Sequence, residues 1–427
     1  MTSLPEMSVE HWMREMEQRR GGAILPGLER IRTIGETLEL LHPSCTVITV
    51  AGTNGKGSTV AALESLYLAA GYCVAAYTSP HLMRFNERIR FNGADISDAD
   101  MSLSFSAVNA ADTGAILSGF ELLTLAALWH FKRLQPDVLI LEVGLGGRLD
   151  ATNVIDSDVA VVTTVDYDHQ EYLGHTLAEI GAEKVGIARS GKPLVLAQAG
   201  LPSEVIERCH AAGCTLIQRD VDYFVEESSE KLIVTLQDKR MIFARGAQRL
   251  HPEALASAIV VSELLQERLP LTPAQREAGL SRAQIAGRVQ YLAGDVSVLY
   301  DVSHNPQSVS RLVETLEGLS HAGDVHAVFS ALGDKDIDSL IAMMLPHVDF
   351  WYTGVLNSQR AAGAERLRAA FAANAREVHV YPDIEAAWEA ACHRARTGDL
   401  IVVYGSFLTV GAVMSDGRLP SAFKEVV

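Results

Sequence analysis

The feature that most constrains this chain is an apolar run at residues 47–50 that continues into the glycine-rich sequence Ala51-Gly52-Thr53-Asn54-Gly55-Lys56-Gly57-Ser58-Thr59. The β-branched run predicts a buried strand, and the apolar spacing over residues 58–70 predicts a helix. Between them, glycines permit a tight turn whose backbone N–H groups converge on an anion, while a lysine and a hydroxyl can meet phosphate and its Mg²⁺. The sequence therefore predicts a loop that binds a nucleoside triphosphate. The predicted nucleotide-binding residues are Thr53, Asn54, Gly55, Lys56, Gly57 and Ser58.

This loop departs from the usual P-loop pattern in two places. Val50 stands where the first glycine of that pattern falls, and Gly57 separates Lys56 from Ser58. A glycine-rich turn with an incidental surface lysine is therefore the alternative interpretation of the motif taken alone.

The composition is that of an acidic globular protein. Its 427 residues, 48% of them hydrophobic, are enough for two compact domains with their own cores. The net charge of −17 argues against nucleic acid or an anionic membrane as a partner. No C-x-x-C pair, no signal-peptide segment and no stretch of about 18 uninterrupted apolar residues occurs, so a disulfide scaffold, a thiolate zinc site and a membrane span are not expected. We expect a cytoplasmic protein.

Short β-branched runs alternate with helical segments in two series along the chain, which is typical of parallel sheets covered by helices. Between the series, residues 215–250 predict a small antiparallel meander at the edge of the first sheet. The sequence thus predicts an α/β protein with a larger domain at 1–287 and a smaller one at 288–427. The predicted strands are 46–50, 73–77, 138–142, 159–163 and 194–197 in the first series, and 296–300, 325–329, 348–352, 378–381 and 400–404 in the second.

Several predicted strands of the first series are followed by residues suited to phosphate or metal chemistry, namely Lys56, Ser79, Glu142 and His169. Because ligands of open α/β sheets collect at the carboxyl ends of strands, we expect these side chains at one rim. Mg²⁺ prefers oxygen ligands and is usually held by one or two protein groups together with phosphates, which suits Ser79 and Glu142. Each residue also has a plainer interpretation: a turn for Ser79, a strand cap for Glu142, and a structural hydrogen bond for His169.

Four segments of the chain together resemble one known family. In order and spacing, from about residue 28 to about residue 410, they resemble the folylpolyglutamate synthase branch of the Mur ligase superfamily, whose bacterial members are often also dihydrofolate synthases. The resemblance implies an N-terminal P-loop-type Mur ligase ATPase domain and a smaller Rossmann-like C-terminal domain on the glutamate side of a cleft. The segments are residues 52–58, Tyr77-Thr78-Ser79-Pro80-His81-Leu82, residues 141–153 and Asp301-Val302-Ser303-His304-Asn305-Pro306.

The resemblance implies two Mg²⁺ ions and their ligands. The first ion is implied at Ser79 and Glu142, and the second at His169. Family members also carry a carbamylated lysine at the position of Lys184, which converts an ammonium into an anionic oxygen donor. Helical composition alone would make Lys184 an exposed charge.

Further implied roles concern the substrates. In the second domain, ATP contacts are implied at Arg288 and Asp301, and a place near the phosphoryl-transfer centre is implied for His304. Capping of the next helix is the other interpretation of the turn at His304 and Asn305. Pterin contacts are implied at Phe120, Glu121, Leu149, Asp150 and Ala151. The residues expected to take part in catalysis are Lys56, His169, Lys184 and His304.

Two segments depart from the family pattern. Where family members usually have an asparagine that contacts adenine, this chain has His251-Pro252-Glu253-Ala254. Near the N-terminus, Arg19-Arg20-Gly21-Gly22 and Ile24-Leu25-Pro26-Gly27 replace segments that family members often use for the pterin. We therefore expect differences in the adenine contact and in the pterin pocket.

The predicted activity is that of a monomeric, ATP- and Mg²⁺-dependent ligase that joins L-glutamate to dihydropteroate and to reduced folates through an acyl phosphate. Three alternatives stay open at this point. They are a folylpolyglutamate synthase without the second activity, a cell-wall ligase that adds an amino acid to a UDP-sugar peptide, and a non-catalytic nucleotide-binding module. The cell-wall ligases normally lack the glycine that stands here at position 57.

Overall fold

The structure is a computed structural model, and it describes residues 7–19, 27–114, 116–228, 230–244, 250–319 and 321–417. The chain forms two compact units, residues 1–284 and 285–427. Each unit has a mostly parallel sheet of its own, and the larger sheet belongs to the first unit. The predicted α/β class is therefore confirmed.

The first unit is organised around an eight-stranded sheet. Its strands are β1 Thr46–Ala51, β2 Val74–Tyr77, β3 Ile89–Phe91, β4 Ala94–Asp95, β5 Val138–Glu142, β6 Val159–Val162, β7 Pro193–Leu196 and β8 Thr215–Gln218. Their order is β4-β3-β2-β5-β1-β6-β7-β8, and only β3 and β4 run antiparallel to their neighbours. The central strands β1 and β5 are buried along their whole length, as expected for a sheet covered by helices.

Helices pack around this sheet and follow its strands along the chain. They are α1 Val9–Gln18, α2 Glu29–Thr37, α3 Lys56–Ala69, α4 Asp98–Ala111, α5 Gly119–Leu134, α6 Gln170–Leu173, α7 Leu177–Lys184, α8 Ser203–Ala211, α9 Pro252–Leu264 and α10 Pro273–Arg282, with short 3-10 helices at Phe85–Arg88, Ala151–Val154 and Val185–Ile187. Helix α3 lies between the sheet and the helices α9 and α10, and Gly279 allows α10 to approach the backbone of Leu66. This burial on several sides explains why α3 is apolar around most of its circumference. No helix within the described residues is long and apolar enough to cross a membrane.

The meander forms a separate sheet. Its strands are β9 Tyr223–Glu227, β10 Lys231–Leu236 and β11 Lys239–Ala244, which pair antiparallel in the order β11-β10-β9. Of the predicted segment 215–250, residues 215–218 form the edge strand β8 of the main sheet. The meander itself is separate from that sheet, so the prediction that the meander edges it is wrong. Alternate residues of β10 are buried and α9 packs against this strand, so the meander covers a helix.

The second unit contains a six-stranded sheet. Its strands are β12 Gln290–Leu292, β13 Ser297–Tyr300, β14 Val325–Phe329, β15 Phe350–Gly354, β16 Val380–Tyr381 and β17 Leu400–Tyr404. Their order is β12-β13-β17-β14-β15-β16, with every pair parallel except β12 and β13. All five predicted strands are present, and the short antiparallel β12 is additional. The helices are α11 Pro306–Gly318, α12 Ile337–Met344, α13 Ala364–Ala373, α14 Ile384–Arg394 and α15 Phe407–Asp416, with a 3-10 helix at Leu345–His347.

Candidate functional site

The glycine-rich loop lies between β1 and α3, as the sequence predicts. Gly55 has a left-handed backbone (φ 85°), and α3 begins at the next residue, Lys56. Gly57 and Ser58 lie in the first turn of that helix and are buried. The first-turn N–H groups and positive dipole end of α3 therefore adjoin the loop, an arrangement that suits an anion.

Two threonines after β6 hold the loop in shape. The Thr163 hydroxyl donates to the carbonyl of Asn54 at 2.6 Å, and the Thr164 hydroxyl accepts from the N–H of Asn54 at 2.8 Å. The Thr164 carbonyl accepts from the N–H of Thr53 at 2.8 Å. Gly52 is required here because a Cβ at that position would lie 1.8 Å from the Thr163 hydroxyl oxygen. Sequence inspection missed both threonines, whose only signal is their place just after a strand beside β1.

The Lys56 ammonium stays close to the loop. Its Nζ donates to the carbonyls of Gly52 at 3.0 Å and Thr53 at 3.3 Å. This position places a positive charge beside the N-terminus of α3. The ammonium and the positive end of the helix dipole would together stabilise the negative charge of phosphate oxygens.

Ser79 and Glu142 lie next to each other. The Ser79 N–H donates to Glu142 Oε2 at 3.3 Å. The sheet explains this, because β2 pairs in parallel with β5 so that Tyr77 is level with Leu141. Glu142 is also level with Val50 of β1, and its side chain lies at the strand end that leads to the nucleotide loop. Glu142 is buried, with 3% of its surface exposed.

Lys184 and His169 lie on the other side of this rim. Lys184 is 3% exposed, which overturns the expectation from composition that it is a surface charge. Burial, followed by the positive charge of Lys56, lowers the pKa of Lys184 from 10.5 to about 7, and the charge of Asp168 opposes that shift. His169 has a left-handed backbone at the start of α6, and its Nε2 lies 3.8 Å from Asp168 Oδ2. The electrostatic interactions thus connect Lys184 with both the nucleotide loop and the turn before His169.

The glycines after Glu142 allow close packing within the protein. A Cβ on Gly144 would lie 2.5 Å from the ring of Phe120, and a Cβ on Gly147 would lie 2.9 Å from the carbonyl oxygens of Glu183 and Lys184. Gly144 and Gly147 have no side chain that would occupy these places. In the structure they bring the Phe120 ring and the end of α7 against the segment that follows Glu142.

These donors fit a metal held partly by substrate. Within the described ranges, no three His, Cys, Asp or Glu side chains cluster closely enough to hold a cation by themselves. The rim instead offers Ser79, whose backbone N–H bonds the buried carboxylate of Glu142, together with His169 after β6 and Lys184, whose pKa is lowered. Mg²⁺ commonly binds in this way, with phosphate and water completing its coordination.

Phe120 and Glu121 begin α5. The Phe120 ring lies 6.1 Å from the ring of Tyr77 and covers Gly144. Glu121 completes a capping box with Ser118, whose N–H donates to Glu121 Oε2 at 2.7 Å, and its other oxygen lies 3.0 Å from Nη2 of Arg30. Both carboxylate oxygens of Glu121 therefore have roles within the protein, while Phe120 presents an aromatic surface near Glu142.

Asp150 organises the segment that follows β5. One of its oxygens accepts from the N–H groups of Gly144 at 3.0 Å and Leu145 at 2.9 Å, and the other accepts from the N–H and hydroxyl of Thr152. Burial raises the pKa of Asp150, and these hydrogen bonds act against that shift. Leu149 is half-buried and Ala151 begins the 3-10 helix that Asp150 caps.

In the second unit, Arg288 and His304 meet at Phe407. The Arg288 guanidinium lies 5.2 Å from the centroid of the Phe407 ring, and the His304 ring lies 6.1 Å from it. The His304 Nδ1 is 2.9 Å from the carbonyl of Val302, so this nitrogen carries a proton and the neutral ring has its lone pair on Nε2. The Arg288 Nε is buried without a hydrogen-bond partner, an unusual condition for a cationic donor.

Asp301 and Asn305 have clear structural roles. Asp301 accepts from the N–H groups of Val289 at 2.8 Å and Ser303 at 2.9 Å, and Asn305 caps α11 in a capping box with Ser308. Helix capping is therefore the observed role of Asn305.

A residue that sequence inspection missed is Lys335, in the turn between β14 and α12. Its side chain is 8% exposed, and its ammonium lies 3.8 Å from Asp334. The surrounding sequence is typical of an exposed charged turn: it reads Gly333-Asp334-Lys335-Asp336. Only the fold therefore distinguishes Lys335 from a surface lysine.

The two segments that depart from the family pattern are partly described. Glu253 lies in the first turn of α9 and forms long ion pairs with Arg219 at 3.9 Å and His251 at 3.8 Å. Arg19 ends α1 and pairs with Asp112 at 2.8 Å. Residues 20–26 lie outside the described residues.

Comparison with known proteins gives consistent results. Residues 287–407 match the family described as "Mur ligase, glutamate ligase domain". The chain is 38% identical over 407 residues to the dihydrofolate synthase/folylpolyglutamate synthase of Escherichia coli (strain K12), with 94% of each chain covered.

Solved structures give the same result. One is E. coli FolC in complex with DHPP and ADP, with a TM-score of 0.92, 36% identity, and coverage of 97% of this chain and 99% of that chain. Another is a bifunctional folylpolyglutamate synthase/dihydrofolate synthase with Mn, AMPPNP and L-glutamate bound, with a TM-score of 0.90, 36% identity, and coverage of 98% and 100%.

Proposed function

The chain belongs to the dihydrofolate synthase/folylpolyglutamate synthase family of Mur ligases, and on that premise we propose how its residues carry out the family's reaction. The protein is an ATP-dependent ligase that adds L-glutamate to dihydropteroate and to folates. The observation that carries this conclusion is the 38% identity along 94% of both chains. The adjacency of Ser79 and Glu142 beside the nucleotide loop supports it independently.

The reaction has two chemical steps. An oxygen of the acceptor carboxylate attacks the γ-phosphorus of ATP, the bond to the bridging oxygen breaks, and ADP leaves as the acyl phosphate forms. The ammonium of glutamate loses a proton, and the resulting amine attacks the acyl carbon. The nitrogen then loses a second proton, and phosphate leaves with the bonding electrons as the amide forms. Both partners of the first step are anionic, so catalysis depends on positioning and on offsetting charge.

The nucleotide loop supplies much of the positive charge that offsets these two anions. We assign phosphate binding to the loop residues 53–58, with Lys56 acting on the phosphate charge that grows at the leaving oxygen. The hydroxyls of Thr163 and Thr164 hold the Asn54 peptide in place, and we propose that the start of α3 is thereby directed at the phosphates.

We assign Ser79 and Glu142 to a first Mg²⁺, and His169 with Lys184 to a second. Bound Mg²⁺ would offset negative charge on the phosphates and the acceptor carboxylate. The protein contributes the orientation: the Ser79 N–H bond fixes one oxygen of Glu142, and Asp168 lies beside the His169 ring.

Lys184 is proposed to be carbamylated. Its lowered pKa, about 7, leaves a substantial fraction of the amine neutral at physiological pH, and a neutral amine is the form that attacks CO₂. The new N–C bond forms, one proton leaves to solvent, and the product is an anionic carbamate. An anion at this buried position would also be attracted by the positive charge of Lys56.

For the acceptor, Phe120 offers an aromatic surface over Gly144 close to Glu142. We propose that the pterin contacts this ring and residues 149–151. Glu121 and Asp150 then act mainly by holding α5 and the segment after β5 in place. Both Asp150 oxygens and Oε2 of Glu121 already accept hydrogen bonds, and Oε1 of Glu121 pairs with Arg30.

In the second unit, we assign ATP contact to Arg288 and Asp301, and a role near the transferred phosphoryl group to His304. The buried, unpaired Nε of Arg288 supports the first of these. Lys335 is our candidate for a glutamate carboxylate, because its ammonium is largely buried in the unit matched by the glutamate ligase domain. A monomer acting in the cytoplasm, where ATP is available, completes the proposal.

The test is glutamate incorporation by the purified protein with each acceptor separately, at saturating ATP and Mg²⁺. We expect product from dihydropteroate and from tetrahydrofolate, and none from a UDP-muramoyl substrate. Product from tetrahydrofolate alone would favour the narrower folylpolyglutamate synthase activity. ADP release that needs neither acceptor nor glutamate would contradict ligase function.

A further inference from the structure

We propose that Arg90 is a positioning residue that ties the loop carrying Ser79 to the helix that follows the nucleotide loop, and so sets the place of the first metal ion relative to the phosphates. We use the name metal loop for residues 78–87. The inference rests on the proposed metal role of Ser79 and Glu142.

On one side, Arg90 binds α3, the helix that follows the nucleotide loop. Its Nη2 donates to Glu64 Oε2 at 2.7 Å, and its Nε donates to the same oxygen at 3.1 Å. Glu64 lies in α3, two turns after Lys56, and its side chain is only 8% exposed, against 16% for Arg90. A guanidinium with two of its nitrogens on one carboxylate has a defined orientation.

On the other side, the same guanidinium binds the metal loop. Its Nη1 donates to the hydroxyl of Thr78 at 3.1 Å and to the carbonyl of Glu87 at 3.1 Å. Thr78 immediately precedes Ser79, and its own hydroxyl donates to the Glu87 carbonyl at 3.2 Å. Arg90 therefore holds the two ends of the metal loop together while it is itself held by α3.

The Glu87 side chain extends this control along the loop. Its carboxylate accepts from the N–H groups of Leu82 at 2.7 Å, Met83 at 2.9 Å and Arg84 at 2.6 Å. A chain of contacts thus leads from α3 through Glu64, Arg90 and Glu87 to the backbone around Ser79. Loss of the Arg90 side-chain contacts is therefore expected to shift this loop.

Neighbouring carboxylates stabilise the positive charge of Arg90 in this position. The charge of Glu64 raises the pKa of Arg90 despite burial, and the charges of Asp95 and Glu142 act in the same direction. Removing one partner would leave a buried charge uncompensated, so the pair is expected to persist with and without nucleotide. Groups that orient metal ligands typically change metal affinity about 10–100-fold when they are removed.

The test uses Thr78→Val and Arg90→Lys. Thr78→Val keeps the Arg90–Glu64 pair and removes only the hydroxyl, while Arg90→Lys keeps the charge and loses the fork that spans Glu64 and Thr78. Mn²⁺ binding is followed by the EPR signal of free Mn²⁺ in the presence of AMPPNP. We expect each variant to weaken Mn²⁺ binding by about tenfold, with AMPPNP affinity in EDTA unchanged within about twofold.

Glu263→Gln is the matched control, because Glu263 pairs with the buried Arg276 at 2.9 Å and belongs to α9 instead of the metal loop. It should lower the melting temperature and leave Mn²⁺ binding unchanged. The proposal is overturned if Thr78→Val and Arg90→Lys behave like this control.

Ser79→Ala and Glu142→Gln, measured in parallel, separate this inference from the function on which it rests. If these two variants weaken Mn²⁺ binding and the Thr78 and Arg90 variants do not, the positioning role alone is wrong. If Ser79→Ala and Glu142→Gln also bind Mn²⁺ normally, the metal site itself has been assigned to the wrong residues. Should Arg90→Lys fold poorly, Thr78→Val still decides the question.

Discussion

The hydroxyl of Thr163 donates a 2.6 Å hydrogen bond to the carbonyl of Asn54, and through it the end of β6 determines the shape of the nucleotide loop. Thr163 is 5% exposed, and its oxygen also approaches the Ala51 carbonyl at 3.2 Å. The loop is therefore not shaped by its glycines alone. Its curvature depends on a neighbouring strand that lies more than a hundred residues later in the chain.

Thr163→Val should loosen this loop, because valine has the same shape and cannot donate to Asn54. Loss of a buried hydrogen bond of this kind costs about 1–3 kcal/mol, so we expect the KM for ATP to rise about tenfold. Thr163→Ser, which keeps the hydroxyl, should bind ATP almost normally. Steady-state kinetics at saturating glutamate and acceptor would measure both, and an unchanged KM for ATP in Thr163→Val would refute this role.

Lys56→Ala should remove most activity and leave the fold intact. The ammonium donates to the loop carbonyls of Gly52 and Thr53, so its loss should affect phosphate charge more than packing. We expect turnover to fall by about two to three orders of magnitude with a melting curve close to that of the parent. Lys192→Ala, at the Asp158 ion pair on the opposite end of the sheet, is the control that should stay active. Normal ADP formation by Lys56→Ala would show that the nucleotide site lies elsewhere.

Lys184 should make the protein more stable as pH rises above neutrality. Its pKa in the folded chain, about 7, lies below the ordinary 10.5, so between these values the unfolded chain binds more protons and the free energy of unfolding increases with pH. Lys184→Met lacks this contribution and should show a shallower rise between about pH 7 and about pH 9. Urea unfolding in metal-free, bicarbonate-free buffer would measure it, with Lys192→Met as the exposed-lysine control. Equal slopes for Lys184→Met and the parent would contradict the lowered pKa.

Gly144→Ala should weaken acceptor binding selectively. The added methyl would lie 2.5 Å from Phe120 Cζ and would force that ring away from its place near Glu142. We expect the KM for dihydropteroate to rise about tenfold, equivalent to about 1.4 kcal/mol, with little change in the KM for ATP. Gly363→Ala is the control, since a Cβ there meets nothing within 4 Å. An equal rise in both KM values for Gly144→Ala would indicate general disruption of the rim.

Much of the fold and part of the site could be read from the sequence because their signals are local. Buried strands are continuous β-branched runs, and the loop after β1 shows its glycines, lysine and hydroxyl within seven positions. The order of these runs also predicts a parallel sheet, and a parallel sheet brings the residues after β1, β2, β5 and β6 to one rim. The expectation that Ser79 and Glu142 lie together follows from that rule.

Other features depend on packing between distant segments, which one sequence does not reveal. Buried and exposed residues alternate in β10 of the meander, as they do in a strand at the edge of a sheet. Only the tertiary structure shows that the buried face of β10 packs against α9. Lys184 has the local pattern of a surface lysine, yet the end of α7 lies against Gly147 and removes its ammonium from water. Arg90 and Glu64 have no distinctive local sequence pattern, and they form a largely buried pair only because the fold brings their side chains within 2.7 Å. The local sequence pattern determined the helices, the strands and the rim at which the site residues meet. The tertiary structure decided which charges are buried and which residues position the ligands, because burial and electrostatic energy depend on distance in space.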